Sequence, residues 1–181
     1  MAAHPHFLWT DLFRRQKSEQ SSLIEALKDN VLFSTLNARE LSYLARMVYE
    51  RVYQQDENIF HQNDRGFGMY LIVKGRVAIK TMRHDGEVLV TTLGKGSFFG
   101  ELSLVDPENI RTATAAASER TVLAGFFKPD LLEILERKPA MGVKILHQLS
   151  TVLGRRLLET TEKITLLTQA RGIEKVHGQV F

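Results

Sequence analysis

Residues 99–114 read FGELSLVDPENIRTAT: a glycine-opened turn, a carboxylate, then an arginine followed by small side chains. That order of residue types suits the grip of a sugar-phosphate. Gly100 permits close approach of the backbone to a ligand. Leu102 to Leu104 can begin a short helix whose free N–H groups point at an anion, and Arg111 supplies a charged, two-pronged donor. Glu101 is then left to accept from a sugar hydroxyl, and Ser103 and Thr112 offer further hydroxyls to a phosphate. Thr112, Ala113 and Thr114 are small, as a wall touching a nucleotide must be. Each residue also has a plainer reading: a surface arginine, a carboxylate that only pairs with Arg111 or Arg156, an ordinary turn glycine, small packing residues.

Around this stretch the pattern is one of short strands. From about 52 to 127 the hydrophobic period is two, punctuated by turn signals at Asn63-Asp64, Lys74-Gly75, Asp85-Gly86, Gly94-Lys95-Gly96 and Ser118-Glu119. Such punctuation predicts a sandwich or jelly roll. Ile79, Val90 and Leu93 on these strands are expected to form an apolar wall beneath a ribose and base, or equally to be plain core. Upstream, Asn37 with Glu40 three residues later makes a capping box, and Leu41, Leu44, Ala45 and Val48 follow at helical spacing, which predicts a helix over about 38–50. Phe7, Trp9 and Phe13, with the amphipathic run Leu23, Ile24 and Leu27 broken at Asp29-Asn30, read as a helical lead-in. Downstream, Pro129 and Asp130 suit the first turn of a helix carrying Leu131, Leu132, Ile134 and Leu135, and Pro139 separates it from the next. In that last, long helix Leu146, Leu149, Leu153, Leu157, Thr160, Ile164 and Leu167 fall three and four apart. Such a stripe needs a partner surface. The expected fold class is α+β, mainly β: a jelly-roll β-sandwich (β-roll) flanked by N-terminal helices and two C-terminal helices.

The chain as a whole narrows the function. Its 181 residues, 44% of them hydrophobic, suffice for one core with helical additions. With no cysteine there is neither a disulfide framework nor a thiolate metal site, and a cytoplasmic location is the default expectation. The N-terminus lacks the pattern of a signal peptide, and no window approaches the roughly 20 apolar residues that cross a bilayer, so no membrane role is expected. The net charge of +3 comes from scattered Lys and Arg, which favours an anionic ligand without singling out nucleic acid. The histidines at 4, 6, 61, 84, 147 and 177 are dispersed. No nucleophile stands with a base and no metal-ligand spacing appears, so neither catalysis nor a cofactor is expected.

The 99–114 block resembles the phosphate-binding cassette of the cyclic nucleotide-binding domain family, in which F-G-E-L/I-small-L precedes Arg, one small residue, Ala and Thr. Ile59-Phe60, the run Tyr70 to Gly75 and the approach Leu93 to Glu101 are similar to further marks of that family, and the resemblance spans about 31–168. Asp56 and Asn63 stand where the family has glycine; Asp and Asn best tolerate positive φ, so those turns are expected to survive. The implied organisation is an N-terminal helical extension at 1–30, a cyclic nucleotide-binding β-roll at 31–135 with its cassette at 99–114, lid and dimerisation helices at 136–170, and a tail at 171–181. Gly100, Glu101, Leu102, Ser103, Arg111, Thr112 and Ala113 would form the ligand site.

The length of the 105–110 loop and the helical stretch LSTVLGRRLLETTEK at 149–163 most resemble the catabolite-activator branch of the family. That resemblance implies Arg156 as a brace for the cassette and Thr160 and Thr161 as readers of the base, one from each subunit of a homodimer joined by the last helix. It also implies cAMP as the ligand. Arg111-Thr112-Ala113-Thr114, however, resembles the cassettes of cGMP-selective members, so cGMP stays open. No DNA-binding segment follows the last helix, so direct DNA binding is not expected. The expectation is a sensor in which the nucleotide moves the last helix and changes contacts with a twin subunit or an effector protein. The alternative is an interaction domain that kept the fold and lost the ligand.

Overall fold

A computed structural model describes residues 22–108 and 110–170. The aromatic cluster Phe7, Trp9 and Phe13 and the tail expected at 171–181 lie outside the described residues. Helix α1 occupies 22–29, with Leu23, Ala26 and Leu27 buried. It stops at Asn30, a side chain that is 1% exposed. Asn30 Oδ1 accepts from the Leu32 amide at 3.0 Å, and its Nδ2 donates to the Gly96 carbonyl at 2.9 Å, tying the lead-in to the roll. Helix α2, Ala38–Leu44, opens on the capping box read from the sequence: the Asn37 side chain accepts from the Arg39 and Glu40 amides, and Glu40 answers to the Asn37 amide. It is shorter than the 38–50 predicted. Tyr49 begins a strand, and Ala45 and Val48 pack on the core from turn geometry rather than from a helix. The aromatic and β-branched residues of YERVY, paired along their length, outweigh the apolar spacing that suggested more helix.

Eight strands follow: β1 (Tyr49–Tyr53), β2 (Asn58–Phe60), β3 (Gly68–Lys74), β4 (Val77–Arg83), β5 (Gly86–Leu93), β6 (Phe98–Phe99), β7 (Thr114–Ala117) and β8 (Thr121–Phe127). They form two four-stranded antiparallel sheets, ordered β1-β8-β3-β6 and β2-β7-β4-β5, the expected jelly roll. Strand β3 reads GMYLIVK without clean alternation because both of its faces are covered. Met69, Leu71 and Val73 face the helices, while Ile72 and Tyr70 face the interior of the roll. Strand β8 repeats the division, with Ala124 and Phe126 toward the helices and Leu123 inward. Phe126 meets Phe33 edge to face at 5.9 Å, and burying one such ring contributes about 1.5–3 kcal/mol.

Asp56 (φ 62°) and Asn63 (φ 70°) both take the left-handed conformation, so the two turns in which the family uses glycine are kept by the residues that tolerate that geometry best. After β8 come α3 (Lys128–Arg137) and α4 (Pro139–Ala170). Asp130 Oδ2 accepts from the Phe127 amide at 2.8 Å and caps α3. The 32 residues of α4 extend about 48 Å. Met141, Ile145 and Leu149 anchor its first half in the core, whereas Leu157, Leu158, Ile164, Leu166 and Leu167 are exposed. Among the described residues no helix is long and apolar enough to cross a membrane.

Candidate ligand-binding site

Arg111 is 5% exposed, which is unusual for a cation without a counter-ion. Its Nη1 donates to the Gly100 carbonyl and to Ser103 Oγ, both at 3.0 Å, and its Nη2 donates to the Gly68 carbonyl at 2.8 Å. The guanidinium lies 4.1 Å from the centre of the Phe60 ring. Its Nε is buried with no acceptor, and among the described residues Arg111 forms no ion pair. Burial pushes its pKa below the ordinary arginine value, opposed by the charges of Tyr70, Glu101 and Asp64, and it stays protonated at neutral pH. The result is a desolvated positive charge satisfied by dipoles alone.

The backbone fixes that charge in place. The amide of left-handed Asn63 donates to the Arg111 carbonyl at 2.8 Å, and the Arg111 amide donates to Asp64 O at 2.9 Å. Gly100 caps a 3-10 turn, Glu101–Leu104, with φ 76°, and a Cβ there would run into Arg111 Nη1. A Cβ on Gly66 would collide with Ser103 Oγ and the guanidinium. The first amide bond of the 3-10 turn runs from Ser103 to the Gly100 carbonyl, so the amides of Glu101 and Leu102 precede the internal ladder. Glu101, also 5% exposed, forms an ion pair with Arg156 of α4, and the Arg156 guanidinium sits 5.0 Å over the Phe98 ring. This ion pair joins the cassette to the last helix.

These groups line a cavity of about 350 Å³, within the range of small-ligand sites. Ten residues selected from the sequence meet there: Ile79, Leu93, Gly100, Glu101, Leu102, Ser103, Arg111, Thr112, Ala113 and Arg156. Three do not. Val90 is 58% exposed and outside the lining. It is the extra residue of a β-bulge, since Ile79 pairs with Thr91 while Lys80 pairs with Leu89. Lying three residues from Leu93, it could not share a face with it in a strand of period two. Thr160 and Thr161 are exposed on α4, and their hydroxyls donate to the Arg156 and Leu157 carbonyls at 2.8 and 2.9 Å. The cavity adds Phe60, Thr91, Phe98, Phe99 and Ile110, which had not been selected. Thr91 could have been found from Leu93 by strand alternation, and Phe98 and Phe99 from their place before Gly100. Ile110 carries no sequence signal of its own. Among the described residues no cluster of three His, Asp or Glu could hold a metal ion.

The site is thus the cavity of an antiparallel β-roll that holds a buried arginine without an ion-pair partner among the described residues and is lined on one side by Arg156 of α4. Residues 50–138 match the sequence model of the cyclic nucleotide-binding domain. The cyclic AMP receptor protein of Thermus thermophilus is 35% identical over 143 residues, covering 78% of this chain and 64% of the relative. The crystal structure of the catabolite activator protein of that organism superposes with a TM-score of 0.70 at 35% identity, covering 77% of this chain and 63% of that one. The type II regulatory subunit of cAMP-dependent protein kinase from Drosophila melanogaster is 32% identical, covering 68% of this chain and 31% of the relative. The chain therefore spans less than two-thirds of the length of these curated relatives. A cyclic nucleotide-binding domain from Methylobacillus flagellatus, 24% identical, shares the fold with a TM-score of 0.71 and covers 91% of this chain and 88% of that one.

Proposed function

We propose that the cavity binds a purine 3′,5′-cyclic nucleotide, cAMP in preference to cGMP, and that the chain is a sensor rather than an enzyme. The observation that carries this reading is Arg111, buried without a counter-ion and with Nε unsatisfied. An uncompensated buried charge costs several kcal/mol, and the one negative charge of a cyclic phosphodiester offsets it. The amides of Glu101 and Leu102 and the hydroxyls of Ser103 and Thr112 flank the same place, Gly100 lets the phosphate come close, and Ala113 leaves room for it. Glu101 accepts from the ribose 2′-hydroxyl, loosening or sharing its bond with Arg156. The apolar wall of Ile79 and Leu93 takes the ribose and base.

The coupling runs through that shared carboxylate. Because Arg156 belongs to α4, a ligand that engages Glu101 alters how the segment 136–170 sits on the β-roll of 31–135. It shifts the balance only by its differential affinity for the two arrangements. The exposed distal half of α4 then meets a twin subunit or an effector protein, and Thr160 and Thr161 reach the base only when α4 moves. Relatives named for cAMP, and the match of 149–163 to their branch, support cAMP. A second reading, cGMP selectivity, is favoured by one observation: Thr112 lines the cavity whereas Thr160 and Thr161 do not.

Calorimetric titration with cAMP, cGMP and 5′-AMP separates these readings. Saturable binding of cAMP, tighter than cGMP and far tighter than the dianionic 5′-AMP, is expected. No heat and no thermal shift with either cyclic nucleotide would mean a fold that has lost its ligand.

A further inference from the structure

The distal half of α4 is apolar on more than one side. Leu157, Ile164 and Leu167 continue the seam that Leu146, Leu149 and Leu153 begin, and a single partner helix suffices to cover them. Leu158, Glu162 and Leu166 fall four apart and follow a second line along the helix. Leu158 is 67% and Leu166 65% exposed, and among the described residues neither Glu162 nor Glu159 forms an ion pair. A helix that is apolar on two sides calls for two covers. The second line therefore needs an occupant besides the helix that fills the seam.

The chain itself carries a run of matching chemistry ahead of the described residues. In LWTDLFRRQK at 8–17, Leu8, Trp9, Leu12 and Phe13 recur at the spacing of one helix face, and Arg14, Arg15 and Lys17 follow. Large apolar side chains suit the two leucines, and cations suit the two carboxylates between them. The described chain also begins in the right place. Leu23, Ala26 and Leu27 of α1 share a buried cluster with Ile145 and Leu149 of α4, and Val152 and Leu153 pack against that cluster. Asn30, at the end of α1, is tied to Gly96 at 2.9 Å, two residues before the Phe98 ring that lies under Arg156. The residues ahead of position 22 extend to about 70 Å, enough to reach any part of α4. We propose that residues 8–17 dock on the second line of α4 in their own chain. Leu8, Trp9, Leu12 and Phe13 pack on Leu158 and Leu166, while Arg14 and Arg15 pair with Glu159 and Glu162. Exposed ion pairs contribute little, so the apolar contacts hold the segment and the charges fix its direction. The docking stands apart from the cyclic-nucleotide reading and leaves the seam at Leu157 and Ile164 open to a second copy.

Trp9 is the chain's only tryptophan, so intrinsic fluorescence reports on this segment alone. Its emission maximum and its quenching by acrylamide are measured on the full chain, at micromolar concentration and at a dilution where sedimentation finds single chains. The parent is compared with Leu158→Ala/Leu166→Ala and with Leu157→Ala/Ile164→Ala. All four residues are exposed and alanine is the best helix former, so both variants keep α4. In the parent, Trp9 is expected to emit to the blue of free indole and to resist acrylamide at both concentrations. The 158/166 variant should shift the emission to the red and lose that protection, whereas in the diluted 157/164 variant both should stay as in the parent. A Trp9 as open as free indole in the parent, or protection that survives in the 158/166 variant, overturns the proposal. Protection lost in the 157/164 variant instead, or found only where chains associate, overturns it as well, because the segment would then sit on the seam or on a second copy.

Discussion

Arg111 makes contacts that a ligand-free protein has little reason to assemble: a guanidinium held by two carbonyls and a hydroxyl, over an aromatic ring, with one N–H left over. Arg111→Ala is expected to lose cyclic-nucleotide affinity by about 2–3 kcal/mol, roughly 30- to 200-fold, the value of a charge-assisted contact. Arg111→Lys keeps the charge, but a compact ammonium cannot span acceptors on Gly68, Gly100 and Ser103 at once, so it should recover only part of the loss. Titration of both variants alongside thermal melts checks this, and affinity unchanged in the alanine variant would remove Arg111 from its assigned role. Much of this site was legible in the sequence because the cassette is contiguous: Arg111, which closes on the turn, follows Gly100 by only eleven residues. The acceptor on Gly68 and the ring of Phe60 were not legible as partners of Arg111. They reach it through pairings more than 40 residues apart in the chain, which no local pattern records.

The helices were legible where a cap or a proline marks them and less so where only spacing does. Asn37 and Glu40 fixed the start of α2, and Pro129, Asp130 and Pro139 the starts of α3 and α4, but the end of α2 was read too late because Ala45 and Val48 keep apolar contacts after the helix stops. Glu40 does more than cap. Both of its carboxylate oxygens lie 2.9 Å from Lys144 Nζ, linking α2 to the anchored half of α4. Desolvation pulls its pKa up, yet the bonds from Lys144 and from the Asn37 amide outweigh it, and the net direction is down. A carboxyl whose folded value lies below its unfolded one stabilises the fold above the unfolded value, and that contribution fades as pH falls through the folded value. Glu40→Gln keeps an acceptor for the Asn37 amide and removes the charge. It should therefore melt below the parent at neutral pH, with the difference shrinking under acid conditions. A melting difference independent of pH would show that the pair with Lys144 contributes nothing electrostatic.

Across the whole molecule α4 changes character along its length. Its first half is seated by Met141, Ile145 and Leu149, each no more than 2% exposed, while in its second half Leu157, Leu158, Ile164, Leu166 and Leu167 are 59–67% exposed. Apolar residues repeating along a helix that projects from the body expose the kind of continuous patch that proteins cover by association. A homodimer through this half is the arrangement proposed here, and it makes two linked predictions. The parent chain should sediment at twice its 20.6 kDa mass at micromolar concentration, and Leu157→Glu with Ile164→Glu should return it to the mass of one chain. Neither residue lines the cavity, so the double variant should still bind the nucleotide through the cassette. Coupling between the two events must be reciprocal. If ligand at Glu101 repositions α4 through Arg156, nucleotide tightens the dimer and dimerisation tightens nucleotide binding by the same factor. The double variant should therefore bind more weakly than the parent at high protein concentration and equally at high dilution, where both are single chains. Sedimentation of the parent as one chain in saturating nucleotide would overturn the dimer, and affinity independent of concentration in a protein that does dimerise would break the link between cassette and helix.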